Sequence, residues 1–80
     1  MTTFEKVVSS VVEVMNCDYS EVLVESTFAD LLIDSLDMIE ILMMVELDFG
    51  ISINDEDAEK CKTVGEFVEL VEYKTIDFKK

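Results

Sequence analysis

Hydrophobic and polar residues alternate with a helical period in three parts of the chain. Apolar residues recur at i, i+3, i+4 and i+7 from Phe4 to Met15, with charged and hydroxyl side chains between them. The same spacing returns over roughly residues 35 to 49 and again from Val64 to Val71. The pattern therefore predicts an amphipathic helix in each of these three parts.

Capping signals place the helix starts and add a fourth, shorter helix. Thr2 with Glu5 fits a capping box, and Thr63 is suited to begin the last helix. Asn54 is suited to an N-cap and precedes three acidic residues, which the helix dipole favours in a first turn, so a short helix is expected from Asn54 to Lys62.

The period lapses between residues 16 and 34, which predicts a long loop. A loop of this length in so small a protein is expected to be pinned down or functional. The apolar residues expected to anchor it in the core are Val22, Leu23, Phe28 and Leu31.

Length and composition agree with a single all-α domain. Eighty residues can enclose one hydrophobic core, and the chain has no proline and only two glycines to interrupt helices. We expect one domain over residues 1–80, with the last few residues as a loose tail.

The net negative charge of the chain excludes some classes of binding partner. Nineteen acidic residues face six lysines and no histidine, which gives a formal net charge of −13. Such a chain repels nucleic-acid phosphates and anionic lipid surfaces, so neither nucleic-acid binding nor membrane insertion is expected. The acidic surface either attracts a basic partner or only maintains solubility.

The two cysteines indicate neither a redox motif nor a metal site. Cys17 and Cys61 are too far apart for a CxxC motif and too few for a disulfide scaffold or zinc. We interpret both as reduced thiols of a cytoplasmic protein, with Cys61 as a buried structural thiol. Glu5 and Lys6 interrupt the first apolar stretch, and no apolar run has transmembrane length, so neither a signal peptide nor a membrane span is expected.

The central helix is apolar on two faces. One stripe is suited to burial and consists of Met38, Ile41, Leu42, Val45 and Phe49. A second line lies on another face, interleaved with acidic residues, and consists of Leu36, Ile39, Met43 and Leu47. In so small a protein one of the two faces must be exposed, and exposed apolar residues ringed by one sign of charge suggest a binding surface. The alternative is that packing encloses more of this helix.

Ser35 stands where the central helix begins and allows three roles. As a structural residue it would be the N-cap of the helix. As a catalytic nucleophile it lacks a base, because the chain has no histidine, and Asp34 and Asp37 would destabilise an oxyanion. The third role is a site of modification, because a phosphodiester at a helix N-terminus lies against unpaired N–H groups.

The residues around Ser35 resemble the F-x-D-L-G-x-D-S-L signature of acyl carrier proteins. In this chain the segment reads FADLLIDSL over residues 28–36, and Glu40, Glu46, Phe49 and the stretch from Ile53 to Glu59 continue the resemblance. It extends over essentially the whole chain.

This resemblance implies a four-helix bundle of acyl-carrier type, with a long loop between the first two helices. It implies that Ser35 carries 4'-phosphopantetheine, transferred from coenzyme A by a phosphopantetheinyl transferase, and that the protein itself catalyses nothing. The partners implied are acyltransferases, ketosynthases and other basic-faced enzymes of fatty-acid or polyketide synthesis, and we expect the carrier to be a monomer.

The resemblance also assigns residues to partner recognition and to the acyl chain. The partner-recognition residues on and beside the central helix are Asp34, Leu36, Asp37, Ile39, Glu40, Met43, Met44, Glu46 and Asp48. Candidates to line a pocket for a long acyl chain are Phe28, Met38, Ile41 and Leu42, although core packing would explain the same residues. Leu32 departs from the family, because it replaces a glycine whose positive φ leucine does not easily adopt. Asn54 stands where many relatives have proline, and Leu47 interrupts the acidic run.

Three alternatives are weighed against this assignment. A calcium-binding loop over Asp48 to Glu59 fails, because its sixth position must be glycine and is Ile53. An aminoacyl or peptidyl carrier usually has a Gly-Gly or similar pair before the serine, where this chain has Leu32 and Ile33. An acidic helical adaptor that is never modified would explain the surface but not the segment before Ser35.

Overall fold

A computed structural model describes the backbone of residues 2–79 and the side chains of residues 2–75. The described chain forms four α-helices: α1 (Thr3–Met15), α2 (Ser35–Phe49), α3 (Asp55–Lys60) and α4 (Val64–Lys79). The all-α class and the four-helix arrangement are confirmed, and the short third helix ends two residues earlier than its pattern indicated. A loose tail was expected for the last few residues; the backbone of α4 continues to Lys79, and Lys80 lies outside the described residues.

Two of the helix starts form as the sequence predicts. The Thr2 hydroxyl accepts a hydrogen bond from the Glu5 N–H, and the Glu5 carboxylate accepts one from the Thr2 N–H, both at 3.1 Å. Thr63 and Glu66 make the same reciprocal pair at the start of α4, also at 3.1 Å. Each pair satisfies two N–H groups that have no partner within the helix.

The core lies where α1 packs against both α2 and α4. Its fully enclosed side chains include Val7 and Val11 from α1, Ile41 and Val45 from α2, and Phe67 from α4. These are the residues that recur at helical spacing in the sequence, so the first apolar face of each of these helices is the buried one.

Backbone hydrogen bonds attach the long loop between α1 and α2 to the beginning of α4. An isolated antiparallel bridge pairs Thr27 with Thr63. Beside it, the Phe28 N–H donates to the Lys62 carbonyl at 3.1 Å, and the Val64 N–H donates to the Ser26 carbonyl at 2.9 Å. The loop is therefore pinned, as its length suggested.

The apolar residues of the loop divide between the core and the surface. Val22 is buried, and Phe28 and Leu31 are half-buried against the core, with the Phe28 ring meeting the Phe67 ring edge-on at 6.1 Å between centroids. The prediction that Leu23 anchors the loop is wrong, because its side chain is exposed. Leu23 follows a short 3₁₀ turn, Tyr19–Glu21, that turns Val22 inward and leaves the next side chain outside.

A tight turn just before α2 contains a strained leucine. The Ile33 N–H donates to the Phe28 carbonyl and the Leu32 N–H to the Ala29 carbonyl, both at 3.0 Å. This pair of bonds defines a Schellman turn, whose next-to-last position requires a left-handed backbone. Leu32 holds that position with φ +60°, so the backbone geometry that glycine would favour is retained although glycine is absent.

None of the helices within residues 2–79 is both long enough and apolar enough to cross a membrane.

Candidate functional site

Ser35 is the first residue of α2, and the residue before it caps the helix. The Asp34 carboxylate accepts a hydrogen bond from the Asp37 N–H at 2.9 Å, and the Asp37 carboxylate accepts one from the Asp34 N–H at 3.4 Å. The structural interpretation of Ser35 as the N-cap is therefore wrong. Both aspartates are occupied in a reciprocal capping box, and the serine between them is left out of it.

The Ser35 side chain is accessible and unengaged. It is exposed to solvent, and its hydroxyl has no hydrogen-bond partner among the described residues. Its position in the first turn places it beside backbone N–H groups that point out of the helix and carry partial positive charge. A phosphate ester on this oxygen would thus lie at the end of the helix that favours an anion.

A small apolar cleft opens beside Ser35, between α2 and α3. Its volume is about 80 Å³, and its lining residues are Ser35, Met38, Ile39, Leu42, Asp55, Ala58 and Glu59. A second, shallower hollow adjoins Ser35 on the side of the long loop and includes Phe28, Ile33 and Cys61. The serine therefore lies at the edge of two adjoining apolar hollows that share Met38, Ala58 and Glu59.

Only some of the residues predicted to line an acyl pocket line this cleft. Met38 and Leu42 line it, and Phe28 lines the neighbouring hollow. Ile41 is fully buried and does not line either hollow, so core packing accounts for it. Sequence reasoning missed Ala58 and Glu59, because nothing in the local pattern of α3 indicates which helix it will face.

The second apolar line of α2 is exposed, as predicted. Successive residues advance about 100° around a helix, so this line lies opposite the buried face centred on Val45. The exposed fractions are 72% for Leu36, 45% for Ile39, 57% for Met43 and 83% for Leu47. We call these four residues the outer stripe.

The polar residues assigned to partner recognition fall into two groups. Glu40 and Asp48 are exposed on one side of the outer stripe, where their carboxylates are free to meet a partner. Asp34 and Asp37 are engaged in the capping box, and Glu46 is half-buried and accepts a hydrogen bond from the Ile53 N–H at 2.8 Å. Met44, also assigned to recognition, is half-buried.

Both thiols are in surroundings that disfavour the thiolate. Partial burial, together with the nearby carboxylates of Glu66 and Asp57, raises the pKa of Cys61. The Cys61 thiol also donates to the Asp57 carbonyl at 3.6 Å. Desolvation and the Glu21 carboxylate raise the pKa of Cys17. Neither cysteine is activated as a nucleophile. Both thiols are free, and Cys61, which was expected to be buried, is only half-buried.

Comparison with known proteins agrees with this geometry. The family model described as the phosphopantetheine attachment site matches residues 5–71, which is most of the chain. A crystal structure of an acyl carrier protein from Thermotoga maritima superposes with a TM-score of 0.81 and 32% sequence identity, covering 92% of this chain and 87% of the other. With its accessible serine at the start of α2 and its all-helical fold, the chain belongs to the acyl carrier protein family.

Proposed function

We propose that this protein carries acyl intermediates as thioesters on a 4'-phosphopantetheine arm attached to Ser35. The observation that carries the proposal is the free and exposed hydroxyl at the first position of α2. Because Asp34 performs the capping, Ser35 is not needed by the helix, and esterification of its oxygen breaks no hydrogen bond in the described structure.

The residues around Ser35 fit this prosthetic group. The first turn of α2 offers N–H groups to the phosphodiester, and the apolar residues Met38, Ile39 and Leu42 border the space into which an arm extends from the serine. When bound, phosphopantetheine supplies a terminal thiol that forms thioesters. The Asp34 and Asp37 carboxylates are directed to backbone amides, which limits their repulsion of the phosphate.

The protein acts in this proposal by delivery and performs no catalysis of its own. Tethering keeps the acyl group at high effective concentration near each enzyme that docks. Exposed carboxylates beside the outer stripe, such as Glu40 and Asp48, steer enzymes with basic faces, while Ile39 and Met43 provide apolar contact. Docking of this kind is weak and sensitive to salt, as a shuttle requires.

The pathway we propose is fatty-acid or polyketide synthesis, with coenzyme A as the source of the arm. The enzymes served would be a phosphopantetheinyl transferase, acyltransferases and ketosynthases. We further propose that the carrier works in the cytoplasm as a monomer, in keeping with its charge of −13, which opposes self-association.

The size of the cleft restricts how an acyl chain is stored. Small-molecule pockets usually enclose about 300–1,000 Å³, whereas the cleft beside Ser35 measures about 80 Å³. A long acyl chain would thus have to widen the space between α2 and α3 or remain outside, and only a short acyl group fits the cleft as it stands.

The test of the attachment site is the intact mass of the protein. The unmodified protein is incubated with coenzyme A and a broad-specificity phosphopantetheinyl transferase, and a gain of one phosphopantetheinyl group is expected. Ser35→Ala is expected to gain nothing, whereas Ser52→Ala, which removes another exposed serine, should be modified as completely as the original.

Circular dichroism of each variant shows whether it is folded, so that failure of modification is not confused with unfolding. If the folded, unmodified protein gains no mass, Ser35 is not an attachment site. The acidic helical adaptor that is never modified would then be the better description. A gain that persists in Ser35→Ala would place the arm on another residue.

A further inference from the structure

The two most exposed large hydrophobic side chains described in the structure belong to Leu32 and Leu47, at 81% and 83%. Leu32 lies in the turn before Ser35, and Leu47 lies near the other end of α2. From Leu36 to Leu47 the helix rises about 16 Å, at about 1.5 Å per residue. Leu47 is thus the last residue of the outer stripe, and Leu32 precedes its first residue, Leu36, by four positions.

Leu32 is unfavourable for the stability of the isolated protein in two ways. Its backbone has φ +60°, a conformation in which the β-carbon of an L-residue crowds its own chain. Its side chain also gains almost nothing from burial, because four-fifths of it is in water. Glycine at this position would avoid the strain and would lose almost no burial, so the leucine side chain does not serve the fold. We infer that it is used in contact with another molecule.

Leu47 extends the outer stripe into a groove. The shallow groove at the end of α2 is lined by Met43, Glu46, Leu47, Gly50, Ile51 and Ser52. Leu47 lies four residues after Met43, about 1.1 turns, so the two side chains are neighbours on the helix surface, and Leu47 lies roughly opposite the buried face of α2. The apolar surface that begins beside Ser35 therefore continues over the whole length of α2.

Charge around the two leucines indicates the chemistry of the partner. Asp30 and Asp34 flank Leu32, and Asp48 follows Leu47. The sequence contains no basic residue between Lys6 and Lys60, so α2 and the loop before it carry no positive charge of their own. The Lys6 ammonium of α1 does contact α2, but it lies over the ring of Phe49, which packs against the core and is not part of the outer stripe. A second copy of this acidic chain would be repelled from the surface, and an enzyme with apolar patches inside a basic rim would be complementary to it.

We propose that Leu32 and Leu47 are specificity-determining residues for docking, and that the partner is a basic-rimmed enzyme with two separated apolar patches. One patch, beside the entrance to its active site, receives Leu32, and the other, about one helix length away, receives Leu47. This inference rests on the carrier function proposed above. It adds Leu32 and Leu47 to the residues that contact the partner enzyme.

The test measures binding of purified ketosynthases and acyltransferases from the source organism to the protein in a Ser35→Ala background. In that background no arm is attached, so docking is measured independently of modification. Leu47→Gln and Leu32→Gly are each expected to weaken the Kd of at least one of these enzymes about tenfold, since each removes one buried leucine from the contact.

A control removes another large exposed side chain elsewhere. Tyr73→Gln, on α4, changes a residue that is 65% exposed and should leave the Kd within about twofold. Salt gives a second control. The losses caused by the leucine variants should keep the same ratio at low and high salt, because no charge has changed, whereas the loss in Asp48→Asn should diminish as salt rises.

Leu32→Gly also distinguishes recognition from a structural role. We expect this variant to be more stable to denaturant than the parent while binding more weakly, and a residue needed for the fold would lose both. Unchanged affinity in either leucine variant would overturn the inference for that leucine, and an enzyme panel that fails to bind the Ser35→Ala protein at all would overturn it for both. Mass gain on the native Ser35 tests the carrier function separately.

Discussion

Glu46 holds the turn after α2 by accepting a hydrogen bond from the Ile53 N–H at 2.8 Å. The bond joins the last part of α2 to the residue just before Asn54, the N-cap position of α3. Glu46 is half-buried, and Ile53 is buried. The position that the family resemblance assigns to partner recognition thus also orders the connection between two helices.

We predict that Glu46→Ala destabilises the protein. Loss of the carboxylate leaves the Ile53 N–H without its partner, which costs about 1–3 kcal/mol of unfolding free energy. Glu46→Gln keeps an acceptor oxygen and should recover most of that loss. Urea denaturation of the two variants measures the difference, and equal stability of Glu46→Ala and the parent would contradict the structural role.

The features that could be predicted from the sequence are those with local signals. The capping box of Thr2 and Glu5 spans four residues, and the apolar spacing of α2 repeats within one segment, so both follow from the sequence alone. The exposed outer stripe also followed, because a helix in one small core cannot bury two faces.

The sequence-based predictions were wrong or incomplete in two situations. In one, two neighbouring residues were equally suited to the same structural role, and in the other, the outcome depended on a contact between residues far apart in the sequence. Asp34 and Ser35 are both favoured N-caps, and the choice depended on Asp37, which completes the box with Asp34. The exposure of Leu23 and the place of α3 beside Ser35 depend on the docking of the loop onto the start of α4. That docking joins residues more than thirty positions apart and leaves no periodic signal.

Gly65 allows that docking, and its substitution should weaken it. A β-carbon at Gly65 would lie 2.7 Å from Val24 Cγ1 and 3.1 Å from the Val24 carbonyl oxygen. The same carbonyl accepts a hydrogen bond from the Gly65 N–H at 2.9 Å, so the loop cannot retreat without lengthening this bond. The glycine is therefore favoured by the close approach of the Val24 side chain and carbonyl to α4.

We predict that Gly65→Ala lowers the unfolding free energy by about 1–3 kcal/mol, as overpacking commonly does. Alanine is otherwise the better helix former, so a purely helical effect would have the opposite sign. Thermal melts distinguish the two effects, because overpacking lowers the melting temperature of Gly65→Ala and helix propensity alone would raise it. Val24→Ala combined with Gly65→Ala should recover part of the loss, because it removes the nearer of the two clashing atoms.

Leu32 provides a prediction in the stabilising direction. Glycine at this position adopts φ +60° without steric cost, and relief of that strain should raise the unfolding free energy of Leu32→Gly by about 1 kcal/mol. Leu32→Ala keeps the strained backbone and removes only the exposed side chain, so its stability should stay close to that of the parent. A Leu32→Gly protein less stable than Leu32→Ala would contradict the relief of strain, and a Leu32→Ala protein much less stable than the parent would show that the leucine side chain stabilises the turn.

The cap of α4 should make stability depend on pH through Glu66. Hydrogen bonds from the backbone N–H groups of Lys62, at 2.7 Å, and Thr63, at 3.1 Å, lower the pKa of Glu66 below its usual value of 4.5. A carboxyl whose pKa is lower in the folded state stabilises the fold above its unfolded pKa. That contribution is lost as the pH falls through the folded pKa.

We therefore expect the stability difference between the parent and Glu66→Gln to be constant near neutral pH and to shrink as the pH falls below about 4.5, the ordinary value for glutamate. The parent must be compared with Glu66→Gln, because acidification also reduces the repulsion among the many carboxylates of a chain with a charge of −13. That change in stability is nearly the same in both proteins and cancels in the difference. Chemical denaturation of both proteins at a series of pH values provides the measurement. A difference that stays constant down to the acid limit would mean that the Glu66 carboxylate is bound no more favourably in the folded chain than in the unfolded one.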